Sequence, residues 1–70
     1  MTEQEKIDKL ADVLDQDPSA LTMGTPLDTI GWDSMGMLSV IALAKTNGKT
    51  IAGAQIRAFK TVDDILSAAF

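Results

Sequence analysis

The chain has 70 residues, no cysteine and no histidine, and its ten acids against six bases give a net charge of -4. A chain of this length makes one domain over residues 1–70 and buries only about 60% of its unfolded surface, which leaves little volume for a deep catalytic cleft. Without cysteine or histidine there are no thiol nucleophiles, Ser-His dyads, Cys/His zinc sites or disulfides, and the net negative charge disfavours nucleic-acid phosphates.

Helix formation is expected first at Thr2-Glu3-Gln4-Glu5. This is a capping-box pattern, in which Thr2 accepts from the Glu5 amide while the Glu5 side chain reaches back to the Thr2 amide. Ile7, Leu10, Ala11 and Leu14 follow at i, i+3, i+4 and i+7 as one apolar stripe, with Asp8, Lys9, Asp12 and Asp15 facing water. Pro18 is expected to end this helix, because its ring drives Asp17 out of helical geometry. From Gln16 to Asp33 the chain reads as a long ordered loop pinned by Leu21, Met23, Leu27, Ile30 and Trp32. Loops of that length inside a small domain tend to be functional, and this one delivers the chain to Ser34.

The second helix is expected from about Ser34 to Thr46, ended by Asn47-Gly48, whose residues tolerate a left-handed backbone. Met37, Val40, Ile41 and Ala44 make its core stripe, yet Met35, Leu38, Ala42 and Leu43 are also apolar. A domain this small cannot bury all of that surface, so part of it is expected to meet a partner. Ile51, Ile56 and Phe59 give a weaker pattern, read as a strand-like link or a short helix over Ala54 to Ala58. Thr61-Val62-Asp63-Asp64 is another cap signal, and Val62, Ile65, Leu66 and Ala69 repeat the helical stripe. The expected fold is all-α, a small four-helix bundle of three longer helices and one short one, with a long first loop.

Reactive chemistry is sparse. Asp63 and Asp64 are adjacent, but neighbours on a helix point about 100° apart and would not flank one substrate, so they read as solvated charges. Gly48-Lys49-Thr50 lacks the earlier glycine of a phosphate loop, since Leu43 stands there, and reads as a polar turn. Trp32 reads as a packing residue covering the bundle end. Met23, Met35 and Met37 read as fillers of an irregular core.

That leaves Asp33-Ser34 at the start of the second helix. The amides there lack intrahelical partners and the helix dipole is positive, so a phosphodiester on Ser34 would be favoured by about 0.3 to 1 kcal/mol over a mid-helix site. Gly36 in the first turn is expected to leave room for an attached group or a partner, at up to about 1 kcal/mol of helix propensity. A simple cap needs only the Asp-Ser pair. It requires neither Gly31-Trp32 nor the long loop, and Gly36 and Met37 stand where a capping box would place Glu or Gln.

The string Gly31-Trp32-Asp33-Ser34-Met35, preceded by Asp17-Pro18-Ser19-Ala20-Leu21 and Thr25-Pro26-Leu27 and followed by an apolar helix, resembles the acyl carrier protein family of phosphopantetheine-binding domains. The resemblance runs from the first amphipathic segment through Thr61-Val62-Asp63-Asp64-Ile65. It implies that Ser34 carries a phosphopantetheine arm derived from coenzyme A, and that Asp33 helps hold the magnesium used by the installing phosphopantetheinyl transferase. It also implies that Met35, Gly36, Leu38, Ser39 and Ala42 face acyl-loading and acyl-processing enzymes. The chain itself would then be a non-catalytic carrier with no catalytic or resident metal residues.

One departure stands out: no acid lies between Ser34 and Asn47, where carriers of ordinary fatty-acid synthesis usually line this helix with acids. Electrostatic steering by this helix is expected to be weak, which favours a specialised lipid or polyketide pathway. An aminoacyl or peptidyl carrier is an alternative, although such carriers more often show Gly-Gly before the pair. An unmodified helical interaction module is the other. No stretch reaches the roughly 20 apolar residues of a membrane span, and the Met1–Glu5 segment is acidic where a signal peptide is basic. A cytoplasmic monomer without membrane or nucleic-acid partners is expected.

Overall fold

A computed structural model describes residues 1–70. Helix α1 spans Glu3–Leu14, α2 Ser34–Thr46, α3 Gly53–Ala58 and α4 Val62–Ala69, with short 3-10 turns at Pro18–Ala20 and Leu27–Thr29. No strand forms; a single bridge pairs Pro26 with Thr61. Helix α2 is central, packing on α1 and α4 and touching α3. The architecture is the expected all-α bundle.

Three of the four helices begin at a side-chain cap, and α3, entered through Ala52, does not. At α1 the Glu5 amide donates to Thr2 Oγ1 and the Thr2 amide donates to Glu5 Oε1, both at 3.2 Å, which is the full capping box. At α4 the Asp64 carboxylate accepts from the Lys60 amide at 2.9 Å and the Thr61 amide at 3.1 Å. Helix α3 begins at Gly53, one residue before the expected start.

The end of α1 differs from expectation. Asp17 is extended, as its place before Pro18 requires, but α1 has already closed two residues earlier at Asp15: its backbone is left-handed at φ 57°, the Gln16 amide donates to the Ala11 carbonyl at 2.8 Å, and the Asp15 amide donates to the Asp12 carbonyl at 3.3 Å. That pair of bonds is the Schellman closure, normally built on glycine because a Cβ crowds the left-handed region. The end of α2 uses the same closure with the usual residue: Gly48 at φ 74°, with the Lys49 amide donating to the Ala44 carbonyl at 2.8 Å. Asp15→Gly should therefore stabilise the fold by about 1 kcal/mol, by relieving the backbone and removing an anion from a helix C-terminus. Urea unfolding midpoints of the two proteins measure this, and an unchanged or lower midpoint would show that Asp15 costs nothing where it stands.

The core joins all four helices and the loop: Ile7, Leu10 and Ala11 from α1, Leu21 and Leu27 from the loop, Val40 and Ala44 from α2, Ile51 and Ile56 around α3, and Val62, Ile65, Leu66 and Ala69 from α4. The α4 stripe is buried in full as its spacing requires, while Leu14 of the α1 stripe is only half-buried, as are Met37 and Ile41 of α2. The long loop is held by its backbone. The Leu27 amide donates to the Lys60 carbonyl at 2.9 Å, the Val62 amide to the Thr25 carbonyl at 3.1 Å and the Asp63 amide to the Met23 carbonyl at 2.9 Å. Asn47 Nδ2 donates to the Ala69 carbonyl at 2.9 Å, fastening the far end of α4 to the end of α2.

Three exposed carboxylates sit below their ordinary acidity range because amides donate to them. Asp64 is lowered mainly by the Lys60 and Thr61 amides, Glu5 by the Thr2 amide and hydroxyl, and Asp17 by the Ser19 amide and hydroxyl. Since their folded-state pKa values are depressed, their contribution is complete above the unfolded values near about 4 and is lost as pH falls through the folded ones. With no histidine, no side chain ordinarily changes charge between roughly pH 5 and 8. The melting temperature should be flat across that interval and fall below about pH 4. A decline beginning near pH 6 would contradict this assignment.

Candidate functional site

Asp33 and Ser34 stand where the long loop turns into α2. Asp33 has an extended backbone, and its Oδ1 accepts from the Gly36 amide at 2.9 Å, making it the N-cap. Its carbonyl accepts from the Met37 amide at 2.9 Å, the first bond of the helix. Ser34 is therefore the first helical residue and not the cap. The amides of Ser34 and Met35 have no partner in the chain and remain open to an anion.

The four serines differ in what holds them. Ser19 Oγ donates to Asp17 at 2.8 Å, Ser67 Oγ lies 3.4 Å from an Asp63 oxygen, and Ser39 is half-buried. Ser34 alone is exposed with its hydroxyl free of any hydrogen bond in the chain. A hydroxyl so placed can be reached by a large reagent, and its oxygen is uncommitted.

Trp32 supports this corner. The Gln16 side-chain amide donates to the Ile30 carbonyl at 3.3 Å, tying the loop to the end of α1 just before the tryptophan. Gly36 is explained by the indole: a methyl group at its α-carbon would stand 3.3 Å from Trp32 Cε3, 3.4 Å from Leu14 Cδ2 and 3.5 Å from Trp32 Cζ3. The space that the missing side chain leaves is thus taken by Trp32 and Leu14, and not kept for an attached group. Trp32 Nε1 is buried without a hydrogen-bond partner, a state that costs about 1–3 kcal/mol relative to a satisfied donor.

The expected partner-facing residues divide. Met35 is 76% exposed, Leu38 is 67% exposed, and Ala42 is exposed beside them, so these three make an open apolar strip that begins one residue after Ser34. Gly36 and Ser39 lie on the flank toward α1, half-buried, where with Asp15, Gln16, Asp33 and Met35, which borders both surfaces, they line a cleft of about 250 Å³. Met23 and Met37 pack on the core as expected of fillers, but Met35 does not: its register on α2 turns it to solvent. Leu14, Gln16 and Phe59 belong to the surroundings of the site without any local sequence signal, since only the folded chain brings them to Trp32.

No family model matches the chain, and no curated protein and no solved structure matches it either. No helix is long and apolar enough to cross a membrane.

Proposed function

We propose that this protein is an acyl-carrier-like domain whose Ser34 receives a phosphopantetheine arm from coenzyme A. The observation that carries the reading is Ser34 itself, an exposed first helical residue with a free hydroxyl beside two unpaired amides. In the attachment, the Ser34 oxygen forms the new phosphoester bond to the phosphopantetheine phosphorus, the pyrophosphate bond of coenzyme A breaks, adenosine 3′,5′-bisphosphate leaves, and the hydroxyl proton passes to the transferase. The resulting phosphodiester lies at the positive end of α2, where its charge is favoured. Asp33 holds the Gly36 amide through one oxygen, which leaves its other oxygen for the transferase's magnesium. The bound arm supplies a terminal thiol that carries an acyl group as a thioester.

The chain's own part is then presentation. The strip of Met35, Leu38 and Ala42 offers the enzymes an apolar contact next to the loaded residue. No acid lies on α2, and its one charged residue is Lys45, so recognition rests on apolar burial and shape more than on charge steering. This favours enzymes of a specialised lipid or polyketide pathway over those of ordinary fatty-acid synthesis. The absence of cysteine suits the role, because no resident thiol competes for the cargo by exchange. Intact-mass measurement of the protein purified from its native cell tests the reading. One phosphopantetheine on Ser34 supports it, and bare chain mass would turn the reading to an unmodified interaction module docking through the same strip.

A further inference from the structure

The chain carries no cysteine, so its side-chain sulfur chemistry is that of four methionines, and the fold treats them unequally. Met23 and Met37 are half-buried and pack on the core. Met35 is 76% exposed and Met1 is 64% exposed. These two differ in place. Met35 follows Ser34 directly and heads the apolar strip that Leu38 and Ala42 continue. Met1 precedes α1, and it is the other end of that helix, at Leu14, that abuts Gly36. The length of α1, about 18 Å for its 12 residues, therefore sets Met1 apart from the corner that holds Ser34.

We propose that Met35 is an oxidation site that controls access to Ser34: hydrogen peroxide converts its thioether to the sulfoxide, and the altered strip receives poorly the enzyme that modifies that serine. The inference rests on the attachment at Ser34 and on docking through the strip. The step balances as a two-electron oxidation. A sulfur lone pair attacks one oxygen of the peroxide, the O–O bond breaks, the proton on the transferred oxygen passes to the departing hydroxide, and water leaves. The product exchanges a flexible apolar side chain for a polar one, whose acceptor oxygen an apolar contact must strip of water. Recognition by α2 is sensitive to that change, because the helix has no acid and only Lys45 as a charge to offset a lost apolar contact. The fold is not sensitive to it: the Met35 side chain stands in solvent, and the cap at Asp33 holds backbone. Thiol-dependent reductases, one for each sulfoxide epimer, reverse the change. The unloaded chain is thus withheld from loading under oxidising conditions, before an arm with its own oxidisable thiol is attached, and is returned afterwards.

Unloaded protein treated with hydrogen peroxide and mapped by peptide mass should gain oxygen at Met35 and Met1 well before Met23 and Met37, with its helical circular dichroism unchanged. After removal of the peroxide with catalase, loading by a broad-specificity transferase with coenzyme A and magnesium should show a KM for the oxidised protein raised severalfold at an unchanged kcat. Treatment with the two sulfoxide reductases should restore the original KM. Met35→Leu, which peroxide oxidises at Met1 alone, should load equally well before and after treatment. Early oxidation of Met23 or Met37, loss of helicity in step with Met35 oxidation, or an unchanged KM in protein fully oxidised at Met35 overturns the inference and leaves the attachment intact. So does a Met35→Leu protein that peroxide slows as much as wild type, or a reduced sulfoxide without recovery of loading. A wild type that takes no adduct before any oxidation overturns the attachment, and the inference with it.

Discussion

Ser34→Ala should abolish modification completely while leaving the fold unchanged. Incubated with coenzyme A, magnesium and a broad-specificity transferase, wild type should gain one phosphopantetheine by mass, and the variant none. The fold survives because Ser34 is not the cap: Asp33 holds the Gly36 amide, and the Ser34 hydroxyl holds nothing. Alanine is the better helix former by a few tenths of a kcal/mol, so the circular dichroism and melting temperature should be equal or slightly higher. Asp33→Asn separates the two duties assigned to that residue. Asparagine caps a helix about as well as aspartate, so stability should hold while modification slows. An adduct at Ser19, Ser39 or Ser67, or an Asp33→Asn variant modified at the wild-type rate, would show that the site or the role of Asp33 has been misassigned.

On α2, two substitutions two residues apart should have opposite consequences. Val40 is wholly buried in the hydrophobic core, which holds no polar or charged side chain, and Val40→Asp would place a carboxylate where no partner can meet it. The cost, several kcal/mol, is comparable with the whole stability of a small domain, and the variant should be unfolded at 25 °C. Leu38 is 67% exposed, and Leu38→Glu should stay within about 0.5 kcal/mol of wild type. It should nonetheless weaken acyl transfer to the native partner enzyme severalfold, since it sets a charge in the apolar strip. Ile41, expected from its spacing to be fully buried, is half-exposed on the rim of the stripe, so Ile41→Glu should fall between the two. Wild-type transfer should also change little between about 0.05 and 0.5 M salt, although the Debye length shortens severalfold over that range. Strongly salt-sensitive turnover would mean that acids outside α2 steer docking, and a Leu38→Glu protein with normal transfer kinetics would remove the strip from the interface.

The parts of this structure that were legible in the sequence are those decided within a few residues. The bounds of α2 at Ser34 and Thr46, the capping box at Thr2 and Glu5, and the buried set Val62, Ile65, Leu66 and Ala69 all follow from neighbours three or four positions apart. What escaped depends on distant chain meeting distant chain. Asp15 ends α1 through a left-handed turn that carries no glycine to announce it, two residues before the extended Asp17 that Pro18 made visible in the sequence. The close contact that explains Gly36 needs Leu14 and Trp32 to converge, and nothing near Gly36 encodes Leu14. Met35 has the composition of a core residue; only its angle on the helix turns it outward. The loop is stapled to the α3–α4 junction through amides and carbonyls, which leave no side-chain pattern to read. At the site, the exposure of Ser34 could be anticipated from its place at a helix start, whereas the buried unsatisfied indole of Trp32 could not.

Those backbone staples determine which pieces of the molecule open together. Breaking any of the bonds from Met23, Thr25 and Leu27 to the segment 60–63 also strips support from the start of α4, so the loop and that helix form one cooperative unit of local unfolding. The first turn of α2 belongs to neither side of such an opening. It is held by its own cap at Asp33 and, through the Gln16 bond to the Ile30 carbonyl, by the end of α1. An opening of the loop and α4 therefore exposes Leu27 and Ile65 to solvent while Ser34 keeps its place at the start of α2.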